Sequence, residues 1–389
     1  MLTNLERLSE ELTLTPVFRA VTEKPLFSAF FAFVEAKTQK ERLSAYRELV
    51  SVIYENGGNL TDAVKRYVFE DENLYVKARA AKKPLSPEIT SSVASELSAF
   101  SRFASLTPDD FSVEGVVLPR FASEKVDLLP LYEKRMQELS RYGYGIFSAT
   151  CMFRVSDLGK IEPIVSADKI SVASFVGYEE ERQKVIDNTE AFVTGRPAAN
   201  TLLCGDAGTG KSSTVKAVAN LYFDRGIRLI ELRKDQLGRL PEVMAAITGN
   251  PLRFIIFIDD LSFNGSDDNF SMLKAALEGS ASARAENAVI YATSNRRHIV
   301  RESFSDREGR DIHRNDTVQE TLSLSERFGL TVLYSKPDKK LYLKIVHELA
   351  DRYGVSVPQE KLDIDAEAFA LRRGYRSARC AEQFIESLL

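Results

Sequence analysis

Apolar residues recur at helical spacing through the first part of the chain and give way to short apolar runs after about residue 168. In 41–54, Leu43, Tyr46, Leu49, Val50, Ile53 and Tyr54 fall on one helical face. Gly57-Gly58-Asn59 breaks that pattern. Residues 61–81 and 86–106 predict further helices, the second opened by Ser86-Pro87 with Glu88 behind it. Residues 131–142 predict another. Segments 145–154 and 161–165 predict two short strands joined by a polar turn. They would close a mainly helical N-terminal domain, 1–166, with a hairpin.

The pattern beyond alternates strands and helices. Segments 201–204, 227–232, 288–293 and 330–334 predict strands, and 212–224 a helix. Residues 254–258 form an uninterrupted apolar run, as a strand buried on both faces requires. This alternation predicts an α/β domain over 167–336, a parallel sheet covered by helices. After Pro337 the periodicity is helical only, in 338–353, 365–373 and 377–389, giving a C-terminal helical domain over 337–389.

Composition narrows the partners. The net charge of -4 carries no broad basic excess of the kind that marks nucleic-acid binding. The three cysteines, Cys151, Cys204 and Cys380, lie far apart with no His at ligand spacing, which argues against zinc and against a disulfide framework. The most apolar run, 26–34, is far shorter than the roughly 20 residues a membrane helix needs. No basic segment followed by an apolar one marks a signal peptide. The expectation is a cytoplasmic protein with reduced thiols and no membrane contact.

One segment carries specific chemistry. Gly205, Asp206, Ala207, Gly208, Thr209, Gly210, Lys211 and Ser212 follow GxxxxGK with a terminal Ser or Thr, between a predicted strand and a predicted helix. Glycines let the backbone bend tightly and turn successive N–H groups toward one anion. The helix that follows points its positive end at the same place, with Ser213 in its first turn. Lys211 would neutralise the β- and γ-phosphates of a nucleotide, and the Ser212 hydroxyl would ligate Mg2+.

Asp259 and Asp260 end the apolar strand, 48 residues beyond Lys211. Such a strand delivers carboxylates to the C-terminal edge of the sheet, where open α/β folds bind ligands. Asp259 is the candidate magnesium ligand, and Asp260 the general base that polarises an attacking water. The strand 288–293 ends in Ser294-Asn295-Arg296-Arg297, and Asn295 is the candidate for orienting that water or touching the γ-phosphate.

Phosphate loop, acidic strand end and polar strand tip, in that order, resemble the AAA+ ATPases. In that superfamily the strand tip is sensor 1, and an arginine finger from a neighbouring subunit follows. Ser325-Glu326-Arg327-Phe328-Gly329 looks like that element, making Arg327 the candidate finger, with Arg307, Arg310 and Arg314 as competitors. The C-terminal helices resemble the AAA+ lid. Residues 374–379 look like sensor 2, with Arg379 preferred and Arg376 second. Phe175 and Val176 resemble the segment that flanks adenine.

A narrower resemblance is to the bacterial ATP-binding proteins of domain-of-unknown-function family 815. It rests on 175–191 (FVGYEEERQKVIDNTEA), the phosphate loop, 258–263 (IDDLSF), 291–300 (YATSNRRHIV) and 325–330 (SERFGL). The resemblance implies an AAA+ module that binds ATP with Mg2+, and a homo-oligomer, six-membered by superfamily analogy. Two departures stand out. Asp260 stands where many AAA+ proteins have Glu, and 301–317 is a long charged stretch, read as a mobile insertion.

Three functions follow as expectations. The preferred one is an ATPase remodelling a protein partner, since the N-terminal region carries no nucleic-acid motif. A second is a nucleotide-gated loader or recruitment module that hydrolyses little. A third acts on nucleic acid, which the arginines around 296–314 allow without indicating it.

Overall fold

The computed structural model describes residues 3–164, 170–261, 286–295 and 327–389, with residues 263, 264, 273, 277, 300 and 301. They divide into two compact units, Met1–Ala149 and Thr150–Leu389. The boundary expected near 166 lies outside the described residues.

The first unit is helical, from Asn4–Thr13 to Leu139–Tyr142. Local signals set its breaks. Thr38 and Glu41 form a capping box at the start of Gln39–Glu55. Ser86 caps Pro87–Ala104, whose first position is proline. The expected helix over 61–81 is instead two, Leu60–Glu70 and Leu74–Ala80. Asn73 caps the second by accepting from the Val76 N–H, which competes with helix continuation. Similarly, 131–142 is split into Leu128–Gln137 and Leu139–Tyr142. The core is aromatic: Phe18, Phe27, Phe30, Phe100 and Phe103 are fully buried, and Phe27 meets Phe100 edge-on at 5.5 Å.

Among the described residues the second unit holds nine strands: β1 (Met152–Val155), β2 (Ile161–Pro163), β3 (Thr201–Gly205), β4 (Ile227–Glu231), β5 (Arg253–Ile258), β6 (Phe263–Asn264), β7 (Ala288–Ser294), β8 (Val300–Arg301) and β9 (Leu330–Tyr334). Seven form one sheet in the order β2-β1-β4-β5-β7-β3-β9, parallel except for the β1–β2 pair. The short strands β6 and β8 pair separately.

The expected hairpin forms, but it belongs to this sheet and not to the N-terminal region, because β1 pairs in parallel with β4. Its first strand starts at Met152, since Gly145–Ser148 is a 3-10 turn. Met152, Phe153 and Val155 are all buried, so pairing with the sheet covers them on both faces.

Helices Glu179–Val193 and Lys211–Leu221 cover one face of the sheet, packing Val185, Phe192, Val215 and Val218 against Leu203, Leu229, Ile255 and Phe257. Residues 254–258 are fully buried, as their unbroken apolar run requires. Three helices end the chain: Lys339–Tyr353, Gln359–Arg373 and Ala378–Glu386. The middle one starts six residues before the expected 365. Tyr342, Ile345, Val346, Leu362, Ala366 and Phe384 form their common core, which also takes in Val176. No helix among the described residues is long and apolar enough to cross a membrane.

Candidate functional site

Register places the phosphate loop. Gly205 ends β3 opposite Tyr334 of β9, while Ser294 ends β7 opposite Cys204. Asp259 and Asp260 follow β5, whose Ile258 pairs with Ala292. All therefore stand at the C-terminal edge of one parallel sheet.

The backbone of the loop is one only glycine supports at several points. Gly205, Gly208 and Gly210 have φ of 129°, 75° and 90°. A Cβ on Gly205 would lie 2.0 Å from the Tyr334 carbonyl oxygen, so the close approach of β9 also demands glycine. Lys211 begins the helix, and the N–H groups of its first turn lack intrahelical partners and face the loop.

Lys211 is 5% exposed. Its Nζ donates to the carbonyls of Gly205 at 3.2 Å and Asp206 at 2.7 Å, and to Asn295 Oδ1 at 3.1 Å. Burial lowers its pKa from the ordinary lysine value, against the opposing pull of Asp206, Asp259 and Asp260. Ser212 Oγ donates to Asp259 Oδ1 at 2.6 Å. Asn295 Nδ2 donates to Asp260 Oδ1 at 2.7 Å. Asp260 adopts φ of 50°, one of three non-glycine residues in the left-handed region among the described residues.

Beside the loop opens a cleft of about 560 Å³, within the usual range for small-molecule sites. Gly208, Thr209, Gly210 and Ser213 form its floor, and Phe175 and Val176 one wall. The lid helices supply Ile345, Leu349, Tyr353 and Arg379 opposite. Arg379 also touches the loop itself, its backbone N–H donating to the Gly208 carbonyl at 3.2 Å. Arg376 is committed elsewhere, to a two-pronged pair with Glu367 at 2.8 and 2.6 Å. Ala207 is exposed at the tip of the loop.

Some contacts here involve residues, Arg182, Thr293, Lys336 and Arg352, that carry no motif and were not singled out in the sequence. Arg182 is buried, donates to the Gly177 carbonyl at 2.8 Å and lies 5.2 Å over the Phe175 ring, bracing that wall. Arg352 reaches from the lid to the Ser174 carbonyl at 2.6 Å. The Asp206 carboxylate accepts from the Lys336 N–H at 2.9 Å, tying the loop to the connection between β9 and the lid. Thr293 bridges the two acids. An exposed arginine or a strand threonine has no periodic signature, so only spatial neighbours reveal these roles.

Arg327 does not join this cluster. It precedes β9, whose Leu330 pairs with Thr201 at the start of β3, so it leaves from the N-terminal edge of the sheet. Four strand residues, roughly 13 Å, separate that edge from the phosphate loop. Its competitors Arg307, Arg310 and Arg314, like Arg296, Arg297, Ser325, Glu326 and nearly all of 301–317, lie outside the described residues.

A family profile, Protein of unknown function (DUF815), matches residues 148–389, which takes in the whole of the second compact unit. The chain belongs to the DUF815 family. The fold of this DUF815 member is a P-loop α/β core with a helical lid, as the AAA+ resemblance implies. No curated protein matches the chain. Among solved structures, it is similar to the Thermotoga maritima RuvB Holliday junction branch migration motor, at 14% identity and a TM-score of 0.34, covering 57% of this chain and 72% of that one. A single-residue variant of that motor gives 14% and 0.36, with coverage of 57% and 72%. At those values the likeness says nothing about what the DUF815 chain acts on.

Proposed function

We propose that this chain is a magnesium-dependent ATPase of the AAA+ type that couples ATP hydrolysis to conformational remodelling of a partner. The observation that carries this reading is the 2.6 Å contact between Ser212 Oγ and Asp259 Oδ1. Two hard oxygen donors from separate elements meet at the start of a phosphate-loop helix. Mg2+ suits such a place because it takes one or two protein oxygens and completes its shell with water and substrate phosphates. When bound it neutralises charge on the β- and γ-phosphate oxygens.

The chain's own residues then divide the work. The amides of 208–213 cradle phosphate oxygens. Lys211, held by three oxygen acceptors at the floor of the loop, turns its ammonium to the transferring group. Asp260 takes the proton of the attacking water, and Asn295 orients that water. Phe175 and Val176 flank the base, and Arg379 closes on the phosphates from the lid. Such a lid contact offers a route from chemistry to movement, because the Gly208 carbonyl already receives the Arg379 N–H.

Arg327 stands at the wrong edge of the sheet to serve its own subunit's phosphate loop. This supports a homo-oligomer in which it completes a neighbour's site, with six subunits by analogy to the superfamily. The N-terminal region carries no nucleic-acid motif, which is the ground for preferring a protein partner. ATP turnover measured against protein concentration, with molecular mass in ATP and without nucleotide, tests this reading. Turnover per subunit that rises with concentration, together with ATP-dependent assembly, supports it. No magnesium-dependent turnover at any concentration removes it.

A second reading is a nucleotide-gated loader with little hydrolysis. It rests on Asp260, a shorter acid than Glu, whose carboxylate is already engaged by Asn295. Tight ATP binding by a monomer with negligible turnover favours it.

A further inference from the structure

Thr293 lies next to the end of β7 and is 2% exposed. Its hydroxyl donates to Asp259 Oδ1 at 2.5 Å and accepts from the Asp260 N–H at 3.0 Å. Its carbonyl accepts from the Leu261 N–H at 2.7 Å. One residue thereby holds three consecutive residues of the turn that follows β5. A hydroxyl offers one proton and two lone pairs. Here the proton goes to a carboxylate and a lone pair to the neighbouring amide.

Asp259 Oδ1 accepts from Ser212 Oγ at 2.6 Å, from Thr293 Oγ1 at 2.5 Å and from the Asp260 N–H at 3.1 Å. Three donors saturate one carboxylate oxygen. Should the Ser212 hydroxyl turn away to a cation, Thr293 and the Asp260 amide still hold Oδ1, and Oδ2 is the oxygen left to face that cation. The same bracket sets the next residue. Asp260 sits at φ of 50°, a conformation that costs a non-glycine residue free energy and persists where its surroundings over-determine it. The links from Thr293 to the Asp260 and Leu261 amides supply that determination, and the Asp260 carboxylate then meets Asn295 Nδ2 at 2.7 Å.

We propose that the Thr293 hydroxyl is a positioning residue that presents Asp259 to magnesium and turns Asp260 into line with Asn295. This rests on the nucleotide-binding reading of the site. It acts through the two acids and touches neither phosphate nor water itself. A methyl group in place of the hydroxyl keeps the volume and loses both hydrogen bonds, leaving an oxygen of the half-buried Asp259 carboxylate one donor short.

The test compares Thr293→Val and Thr293→Ser in the full chain. Binding of a fluorescent ATP analogue is titrated with and without magnesium chloride. Thr293→Val is expected to keep metal-free affinity within about twofold, since the phosphate loop is untouched. The gain in affinity on adding magnesium is expected to fall about tenfold, the effect of one hydrogen bond to a charged group. Thr293→Ser is expected to restore most of that gain.

A magnesium gain unchanged in Thr293→Val overturns the inference while leaving the reading of the site intact. Thr293→Ser as impaired as Thr293→Val also overturns it, because the methyl group and not the hydroxyl would then matter. Equal loss of metal-free and magnesium-dependent affinity in Thr293→Val overturns it too, since the hydroxyl would then hold the loop together. Failure of the unmodified chain to bind nucleotide removes both readings.

Discussion

The side-chain amide of Asn295 joins Lys211 to Asp260, accepting from Nζ at 3.1 Å and donating to Oδ1 at 2.7 Å. This is the one orientation of the amide that satisfies an ammonium and a carboxylate together. On the proposed reading, an incoming γ-phosphate would compete for Lys211, and Asn295 would pass that change to Asp260. Asn295→Ala is expected to lower kcat roughly 10²-fold, the scale for losing one oriented dipole in an active site. Asp260→Asn should lower it 10²–10⁴-fold, the usual contribution of a general base. Both should leave nucleotide affinity within a few-fold. Steady-state kinetics beside equilibrium binding separates the two effects, and intact turnover in Asp260→Asn would show that another group takes the proton.

Lys211→Ala removes the buried ammonium that the phosphate loop wraps. Nucleotide binding is expected to be abolished or weakened at least a hundredfold, with the fold retained, because its hydrogen-bond partners are two loop carbonyls and Asn295. Isothermal titration with ATP and circular dichroism on the same sample check both halves of this statement.

Gly205→Ala tests the packing of the loop against β9. The added Cβ would lie 2.0 Å from the Tyr334 carbonyl oxygen, and φ of 129° suits glycine alone. Backbone must move, at a cost of about 2–4 kcal/mol from strain and overpacking. Thermal unfolding should show a lower midpoint, and ATP binding should weaken because the loop is displaced.

The two lid arginines should respond differently. Arg379 lines the cleft, so Arg379→Ala is expected to reduce ATP turnover more than tenfold with unfolding unchanged. Arg376 instead pairs with Glu367, so Arg376→Ala should lower lid stability by up to about 1 kcal/mol, as a half-exposed pair allows. The hydrogen bonds from Arg376 hold the Glu367 carboxyl below its ordinary value of 4.5. The contribution of the pair is therefore complete above pH 4.5 and lost as pH falls through the lowered folded value. Followed from pH 7 downward, the difference in unfolding between wild type and Arg376→Ala should narrow once the pH passes below 4.5.

Mixing subunits tests Arg327. Arg327→Ala and Lys211→Ala chains, each inactive alone, should recover part of the activity when mixed if the arginine serves a neighbour's site. No recovery in confirmed mixed assemblies would place Arg327 in a structural role.

Local chemistry made much of this protein legible before its fold was known. The phosphate loop depends on glycines whose φ values no other residue adopts readily, and their spacing shows in the chain itself. The five-residue apolar run 254–258 revealed a central strand because burial on both faces leaves no polar position. Asp338 and Ser377 cap the first and last lid helices one residue from where periodicity resumes, so those starts were readable too.

Tertiary structure alone decided the rest. The hairpin at 152–163 reads the same whether it closes a helical region or extends a sheet, and only its parallel pairing with β4 assigns it. Along the sequence both Arg376 and Arg379 are candidates, Arg379 preferred by resemblance, but only the fold shows that Glu367 claims the first and that the second lines the cleft. Thr293 is an ordinary strand residue until β5 and β7 lie side by side. Sequence carries backbone preference and hydrophobic period, which are local, whereas which side chain meets which depends on strand order, and strand order is a property of the folded sheet.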